Sequence, residues 1–511
     1  LVWGGGVVVT LEEKLSVLEA ISSIAPENAS AEDEENLFSY FLPLRSYSKL
    51  ADPKVFLVTG GRGAGKSELF RMLTSKGGLE HVLGEADRRR YTKLKKARFL
   101  VGYQSSGKGS RYFPTKFVCD HYAKGQDEGQ VTCFWAGLLC AVLLRDFAGD
   151  EEVAAAAEQF LGKEQAEYLC QYSSMPEKWL VWMAFHQESW EAFLDRCDQY
   201  FEQIGEQIYI TYDELDRICQ EYGNLFLFCR SLLNFWFTHN NRWQNLKTKI
   251  FLRSDLYNAK ALRFIDSSKM RAYRLELQWD SLSLYRLLVK RLANCGNPFL
   301  LDYLKSIPDL LLKKEEVLGY LPGSQDISFQ ELVEKMIGRY MGKTPKKGYS
   351  YTWVPNHIQD ANGELSPRPF LKCFVFAAME QRGHEMEVEA LEEERLLHSS
   401  RLQAALSEVS KDRVKELVEE EYGWLEILRK KLIGQSMLMN RAEFLGYLLP
   451  ENWSQEERAA LPGRTPEELL DVLKILGIFF ETEDGRINTP EIYLHGFGLK
   501  RRGGIKRPRK Y

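Results

Sequence analysis

Gly60-Gly61-Arg62-Gly63-Ala64-Gly65-Lys66-Ser67 sets a lysine and a hydroxyl directly behind a glycine-rich stretch, with the spacing G-x-x-x-x-G-K-[ST]. Glycines allow successive backbone N–H groups to wrap phosphate oxygens, and a helix starting at that point adds a favourable dipole. Lys66 is suited to reach the β- and γ-phosphates, and Ser67 to offer its hydroxyl to Mg²⁺. A glycine-rich turn with an incidental lysine is the competing reading, and the flanks count against it. Lys54-Val55-Phe56-Leu57-Val58-Thr59 is a β-branched, apolar run of the kind that forms a buried parallel strand, and Glu68-Leu69-Phe70-Arg71-Met72-Leu73 has a helical pattern.

A second constellation is Gln207-Ile208-Tyr209-Ile210-Thr211-Tyr212-Asp213-Glu214-Leu215-Asp216, an apolar strand that delivers adjacent carboxylates at its C-terminal end. Ligand chemistry in open α/β sheets sits at that edge. Asp213 is suited to hold Mg²⁺ through water and Glu214 to orient or deprotonate an attacking water, a pairing that favours hydrolysis over phosphotransfer. A third strand, Thr248-Lys249-Ile250-Phe251-Leu252-Arg253, ends in an arginine placed to sense a γ-phosphate; a plain cationic strand cap is its alternative. Ala97 to Tyr103 and Arg274 to Leu277 complete a five-strand parallel sheet. The long interval between Lys66 and Asp213 calls for a helical insertion at about 105–204. No Asn-Lys-x-Asp guanine signature occurs, so the expected nucleotide is ATP, with Mg²⁺.

The rest of the chain must carry this sheet and add to it. At 511 residues it exceeds what one hydrophobic core usually serves. The expected order is a helical lead-in (1–51), a P-loop ATPase domain (52–295), a helical domain (296–422), a winged helix (423–499) and a basic tail (500–511). The winged-helix expectation comes from a helix at Pro466 to Leu476, an apolar run at Ile478 to Glu483, the turn Asp484-Gly485 and a returning strand Arg486-Ile487-Asn488. Other small helical folds share that pattern. The aromatic residues Trp179, Trp182, Phe185, Trp190 and Phe193 recur at helical spacing and are assigned to core.

A net charge of −4 excludes a surface that is basic throughout, yet two basic clusters stand out. One spans Arg88, Arg89, Arg90, Lys93, Lys95, Lys96 and Arg98. The other, Lys500 to Lys510, could neutralise phosphates beside a wing or serve as a solubilising tail. The nine cysteines show no metal-ligand or disulfide spacing and read as reduced thiols. Leu1 to Val9 is too short and uncharged for a signal peptide, and no later run approaches the ~20 apolar residues of a membrane span. A soluble, cytoplasmic protein without membrane contact is the expectation.

Residues 54 to about 294 resemble the AAA+-like ATPases of the origin-recognition and STAND groups. Tyr212-Asp213-Glu214-Leu215-Asp216 is similar to the acidic strand end of the former, and Phe251-Leu252-Arg253-Ser254-Asp255 to the arginine-ended sensor strand of the latter. Asp360-Ala361-Asn362-Gly363-Glu364-Leu365-Ser366-Pro367-Arg368 is similar to the helix start that places a second sensor arginine, which makes Arg368 the match. The C-terminal stretch from Gly485 resembles bacterial P-loop ATPases of mobile-element and anti-phage defence loci. The resemblance implies homo-oligomers; Arg88, Arg89, Arg90 and Arg217 are the arginines considered for a neighbour's site.

Two functions follow as expectations. One is an ATP-binding and hydrolysing regulatory switch that controls a separate effector protein, in anti-phage defence. The other is a DNA-binding ATPase of the origin-recognition or loader type that uses the winged helix and basic tail. A nucleotide-binding scaffold without hydrolysis is a third reading, against which Glu214 argues.

Overall fold

The computed structural model describes residues 10–25, 36–83, 96–107, 109–258, 262, 267–392, 394–420, 422–459 and 461–501. The chain divides into two compact units, one of Pro43–Leu277 and one of Leu1–Leu42 with Gln278–Tyr511.

The Pro43–Leu277 unit is built on a five-stranded sheet of β1 (Leu57–Gly60), β2 (Ala97–Tyr103), β3 (Gln207–Tyr212), β4 (Leu246–Arg253) and β5 (Arg274–Leu277). The order is β2-β3-β4-β1-β5 and every pairing is parallel. The strands β1, β3 and β4 are buried along their whole lengths, as parallel strands covered on both faces must be. Two lysines lie inside β4, and their amino groups are satisfied by backbone carbonyls. Lys247 donates to Asn240 and Trp243, and Lys249 to Asp52 and Val55. Burial pulls Lys249 down to about 7.

Because β4 lies between β1 and β3, three functional strand ends share one edge. Gly60 pairs with Arg253, and Tyr212, the residue before Asp213, pairs with Ile250 three positions earlier on β4. The edge strand β2 has a register shift between Val101 and Tyr103. A side chain at Gly102 would meet Ile210 Cγ2 at 2.5 Å and the Tyr212 ring at 2.9 Å, so only glycine fits the irregularity.

Between β2 and β3 the chain is helical, as the interval between Lys66 and Asp213 required. Its helices are Lys116–Ala123, Glu128–Asp146, Glu151–Phe160, Lys163–Gln171, Leu180–Phe185 and Gln187–Ile204. Glu128–Asp146 starts with a capping box, Asp127 and Gln130 each bonding the other's backbone N–H. It is buried on nearly every side from Val131 to Leu144. Trp179 packs against Gly137, and Trp135 donates to the Phe228 carbonyl at 3.0 Å.

Trp179, Trp190 and Phe193 join this core, but Phe185 is 82% exposed. Leu180 and Met183, three apart, take the inward face of the short helix Leu180–Phe185, which leaves Val181 and Phe185 pointing outward.

The other unit is mainly helical. Leu11–Ser22 is fixed by a capping box of Thr10 and Glu13. Further helices include Ser281–Ala293, Asp326–Ile337, Ser350–Ile358, Pro367–Arg382, Ser399–Glu420, Trp424–Leu432, Arg441–Tyr447 and Pro466–Ile475. Arg486–Asn488 pairs antiparallel with both Met439–Asn440 and Phe480–Glu481 to form a small three-stranded sheet. Lys500–Arg501 pairs in parallel with Ser436–Met437. Among the described residues no helix is long and apolar enough to cross a membrane.

Candidate functional site

The loop from Gly60 to Ser67 turns out of β1 and enters the helix Lys66–Thr74. Gly65 stands at the cap with φ 94°, a left-handed conformation that costs a side-chain-bearing residue about 1 kcal/mol or more. Gly60, Gly61, Arg62, Gly63 and Ala64 complete the turn, with Ala64 N–H donating to Gly61 at 3.2 Å. Lys66 folds over it, donating to the carbonyls of Gly60 at 3.0 Å and Gly61 at 2.9 Å. Burial pulls Lys66 down to about 8, against the attraction of Asp216 and Asp213. A phosphate group there would recover the lost charge stabilisation.

Asp213 is buried, with 4% exposure. Burial pushes its carboxyl up to about 6, with the Glu214 backbone and Ser67 acting in the opposite direction. Ser67 and Asp213 offer the oxygen donors that Mg²⁺ prefers. Their chemistry suits the ion, and they are the residues that would hold it.

Glu214 departs from ordinary backbone geometry, with φ 56°. Left-handed backbone at a residue other than glycine stores strain that the surroundings must hold in place. The holding group is the loop just after β2. Glu214 Oε2 accepts from the backbone N–H groups of Ser105 at 3.0 Å and Ser106 at 2.8 Å, and from the Ser105 hydroxyl at 2.9 Å. The Ser106 hydroxyl reaches Oε1 at 2.7 Å and Oε2 at 2.8 Å. Arg217 lies 3.7 Å from Oε1.

Arg253, at the end of β4, makes a two-pronged pair with Asp255 and a longer contact to Asp216. Lys66, Asp213, Glu214 and Arg253 are therefore gathered at one sheet edge. Arg368 lies in the other unit, on the helix Pro367–Arg382, and its Nη1 is 3.6 Å from Glu416 Oε2. Of the basic clusters, Arg88, Arg89, Arg90, Lys93 and Lys95 lie outside the described residues, as does 502–511. Arg98 stacks over Phe147 and lies 3.8 Å from Glu206.

Four residues of this site escape sequence reasoning: Ser105, Ser106, Asp216 and Asp255. The two serines follow β2 directly, so the signal was their position, but it becomes readable only once β2 is known to neighbour β3. Asp255 follows Arg253 by two residues, and Asp216 was in plain view beside Glu214 without a cationic partner to give it a role.

Residues 22–96 match the ORC-CDC6-like family model. No match to a curated protein was found. Among solved structures, the ORC2 protein of Aeropyrum pernix in its ADPNP-ADP complexes is similar at 13% identity and TM-score 0.38, covering 90% of this chain and 94% of that one. The Walker-type ATPase PABY2304 of Pyrococcus abyssi is similar at 13% identity and TM-score 0.35, with 93% and 98% covered. The Aeropyrum pernix ORC1 protein in complex with DNA follows at 13% identity and TM-score 0.32, with 88% and 90% covered. At these levels no residue role passes from those proteins to this chain. The family-model match and the strand-loop-helix at Gly60 to Ser67 support an AAA+ P-loop ATPase. The α/β core is a P-loop fold.

Proposed function

We propose that this chain binds and hydrolyses ATP with Mg²⁺ and works as a nucleotide switch whose turnover is restrained by its own structure. The observation that carries this is Glu214, a carboxylate at the end of the acidic strand, bound by Ser105 and Ser106 through both backbone and hydroxyl groups. Gly60 to Gly65 would wrap the phosphates, and Lys66 would leave the Gly60 and Gly61 carbonyls for the β- and γ-phosphates. Mg²⁺, held by Ser67 and through water by Asp213, would neutralise phosphate charge. Glu214, once released from the serines, would orient or deprotonate the attacking water. Arg253 would read the γ-phosphate, and Arg368 is proposed as a second sensor arginine.

For the role the switch serves, a DNA-bound ATPase of the origin-recognition type draws on the family match over residues 22–96 and on the C-terminal basic run that begins at Lys500. Its DNA-binding element would be a winged helix formed around the sheet of Met439–Asn440, Arg486–Asn488 and Phe480–Glu481. Control of a separate effector protein in anti-phage defence rests on the sequence resemblance alone.

Phosphate release from Mg²⁺-ATP by wild type, Lys66→Ala and Glu214→Gln, with and without duplex DNA at two salt concentrations, tests the proposal. Hydrolysis abolished in both variants supports the ATPase. Equal turnover in all three proteins would sink it. Salt-sensitive DNA binding that disappears when 500–511 is deleted would establish the DNA role, and the absence of any DNA effect would favour the effector role.

A further inference from the structure

The two sides of the helix Lys116–Ala123 differ in what they touch. Inward, Cys119 and Ala123 are buried and Tyr122 stacks on Phe134, ring centres 5.9 Å apart. Asp120 holds the start of the helix Tyr222–His239, through the backbone N–H groups of Gln220 and Glu221 and the Asn224 amide. Outward, the centre is apolar, with Phe117 65% exposed and Val118 36%. Lys116, His121 and Lys124 are exposed around them, and the Lys116 Nζ lies 5.4 Å from the centre of the Phe117 ring. The carboxylate of this helix, Asp120, is engaged elsewhere, and among the described residues neither Lys116 nor Lys124 has an ion-pair partner. An exposed aromatic ring between unpaired cations is the surface expected of an interaction site, and its charge calls for an anionic occupant. Nucleic acid fits it poorly. Bases stack on open aromatic faces, whereas Phe117 already carries a lysine over its ring and Val118 has no π face. Arg111, ahead of the helix, lies over Tyr112 and donates to its hydroxyl, so few cations remain to track a phosphate backbone.

We propose that this face docks an acidic peptide segment of a partner protein, and that Asp120 is the positioning residue through which docking reaches Glu214. An apolar side chain of the peptide packs on Phe117 and Val118, and its carboxylates pair with Lys116 and Lys124. The two lysines lie about 12 Å apart along the helix axis, a span of about four residues in an extended peptide. The route through Asp120 rests on the ATPase reading. A docked segment makes its contacts on the outward side alone. Drawn towards it, the helix lengthens the Asp120 bonds, of which that to Glu221 is already 3.3 Å, and slackens the segment that starts at Glu214. Turnover therefore rises when the face is occupied.

The test begins with a displayed library of random short peptides, selected on the full chain and counter-selected on Phe117→Ser. Peptides with Asp or Glu around an apolar side chain are expected. Measured by anisotropy of the labelled peptide, their affinity should fall about tenfold or more on Phe117→Ser and on Lys116→Glu/Lys124→Glu. These positions are exposed, so denaturant midpoints should stay at the wild-type value. With a selected peptide bound, kcat for Mg²⁺-ATP should rise about fivefold or more while KM changes little. In Asp120→Asn the peptide should bind as tightly and leave kcat unmoved, a split between affinity and coupling that a merely structural Asp120 would not give. Selection that yields no acidic peptide sensitive to Phe117, or a labelled single-stranded oligonucleotide that binds through Phe117 and the two lysines in its place, would overturn the docking site. A bound peptide that leaves wild-type kcat unchanged, or acts equally in Asp120→Asn, would overturn the route through Asp120. Turnover that persists in Lys66→Ala would remove the ATPase reading and that route with it, and leave the docking site standing.

Discussion

Replacing Ser105 and Ser106 together by alanine should speed ATP turnover. The Glu214 carboxylate accepts from two backbone N–H groups and two hydroxyls of this pair, at 2.7–3.0 Å. The double substitution leaves the backbone donors and removes the hydroxyls. Hydrogen bonds to a charged group contribute about 1.5–3 kcal/mol each when buried. Here the Glu214 side chain is 20% exposed, and Ser106 is at the surface. Water replaces part of what is lost, so about 2 kcal/mol for the pair is a fair discount. That shifts the balance between held and released Glu214 about 30-fold. With release preceding hydrolysis, kcat for Mg²⁺-ATP should rise about 10- to 30-fold while KM changes little. Steady-state phosphate release at saturating ATP measures it. A kcat that drops towards that of Glu214→Gln would refute the reasoning, because the serines would then be aiming the carboxylate at its water instead of restraining it.

Asp213 titrates at about 6 in the fold against an ordinary 3.8, because burial disfavours its charge. A raised carboxylate favours the fold below the unfolded value and forfeits that stability as pH rises through about 6. Asp213→Asn should therefore stabilise the protein in nucleotide-free buffer by about 2–3 kcal/mol at pH 8 and by almost nothing near pH 3.5, as denaturant midpoints at the two pH values would show. Lys66, pulled down to about 8 by burial, should lose its charge and its hold on phosphate at alkaline pH. Mg²⁺-ATP affinity should then weaken from pH 8 to 9.5 in wild type and stay flatter in Lys66→Arg, whose guanidinium remains charged; identical profiles would argue against Lys66 as the titrating group. Gly137→Ala would press a methyl group into the Trp179 ring and should cost about 1–3 kcal/mol in denaturant unfolding; a neutral result would mean that this helix crossing has room to adjust.

The sheet was legible because its strands advertise themselves. Runs such as Gln207 to Tyr212 and Thr248 to Arg253 are apolar or β-branched and end at residues with chemistry, and all five expected strands are present. The glycines and Lys66 follow a spacing that backbone geometry imposes, so their placement could be read without a partner. Ser105, Ser106 and Asp255 were not legible, because their significance comes from neighbours distant in sequence or from the direction of a guanidinium. Burial of the aromatic residues was legible by period only where the helix is long: Gln187–Ile204 buries Trp190 and Phe193 as expected, while Leu180–Phe185 is too short for its period to fix which face turns inward.

The insertion between β2 and β3 holds the segment that follows β3 at two places. The loop carrying Ser105 and Ser106 leads into the helix Lys116–Ala123. On that helix, Asp120 accepts from the backbone N–H groups of Gln220 at 2.7 Å and Glu221 at 3.3 Å and from the Asn224 amide at 3.1 Å, at the start of the helix Tyr222–His239. The segment from Glu214 to Glu221 is therefore fixed by the insertion at both ends, by the serines at the first and by Asp120 at the second. Left-handed backbone at Glu214 is sustainable only while such fixing lasts. A displacement of Lys116–Ala123 that slackens either hold removes the support for the strained conformer. On the proposed ATPase reading, a ligand acting on the insertion would reach Glu214 without touching the phosphate loop.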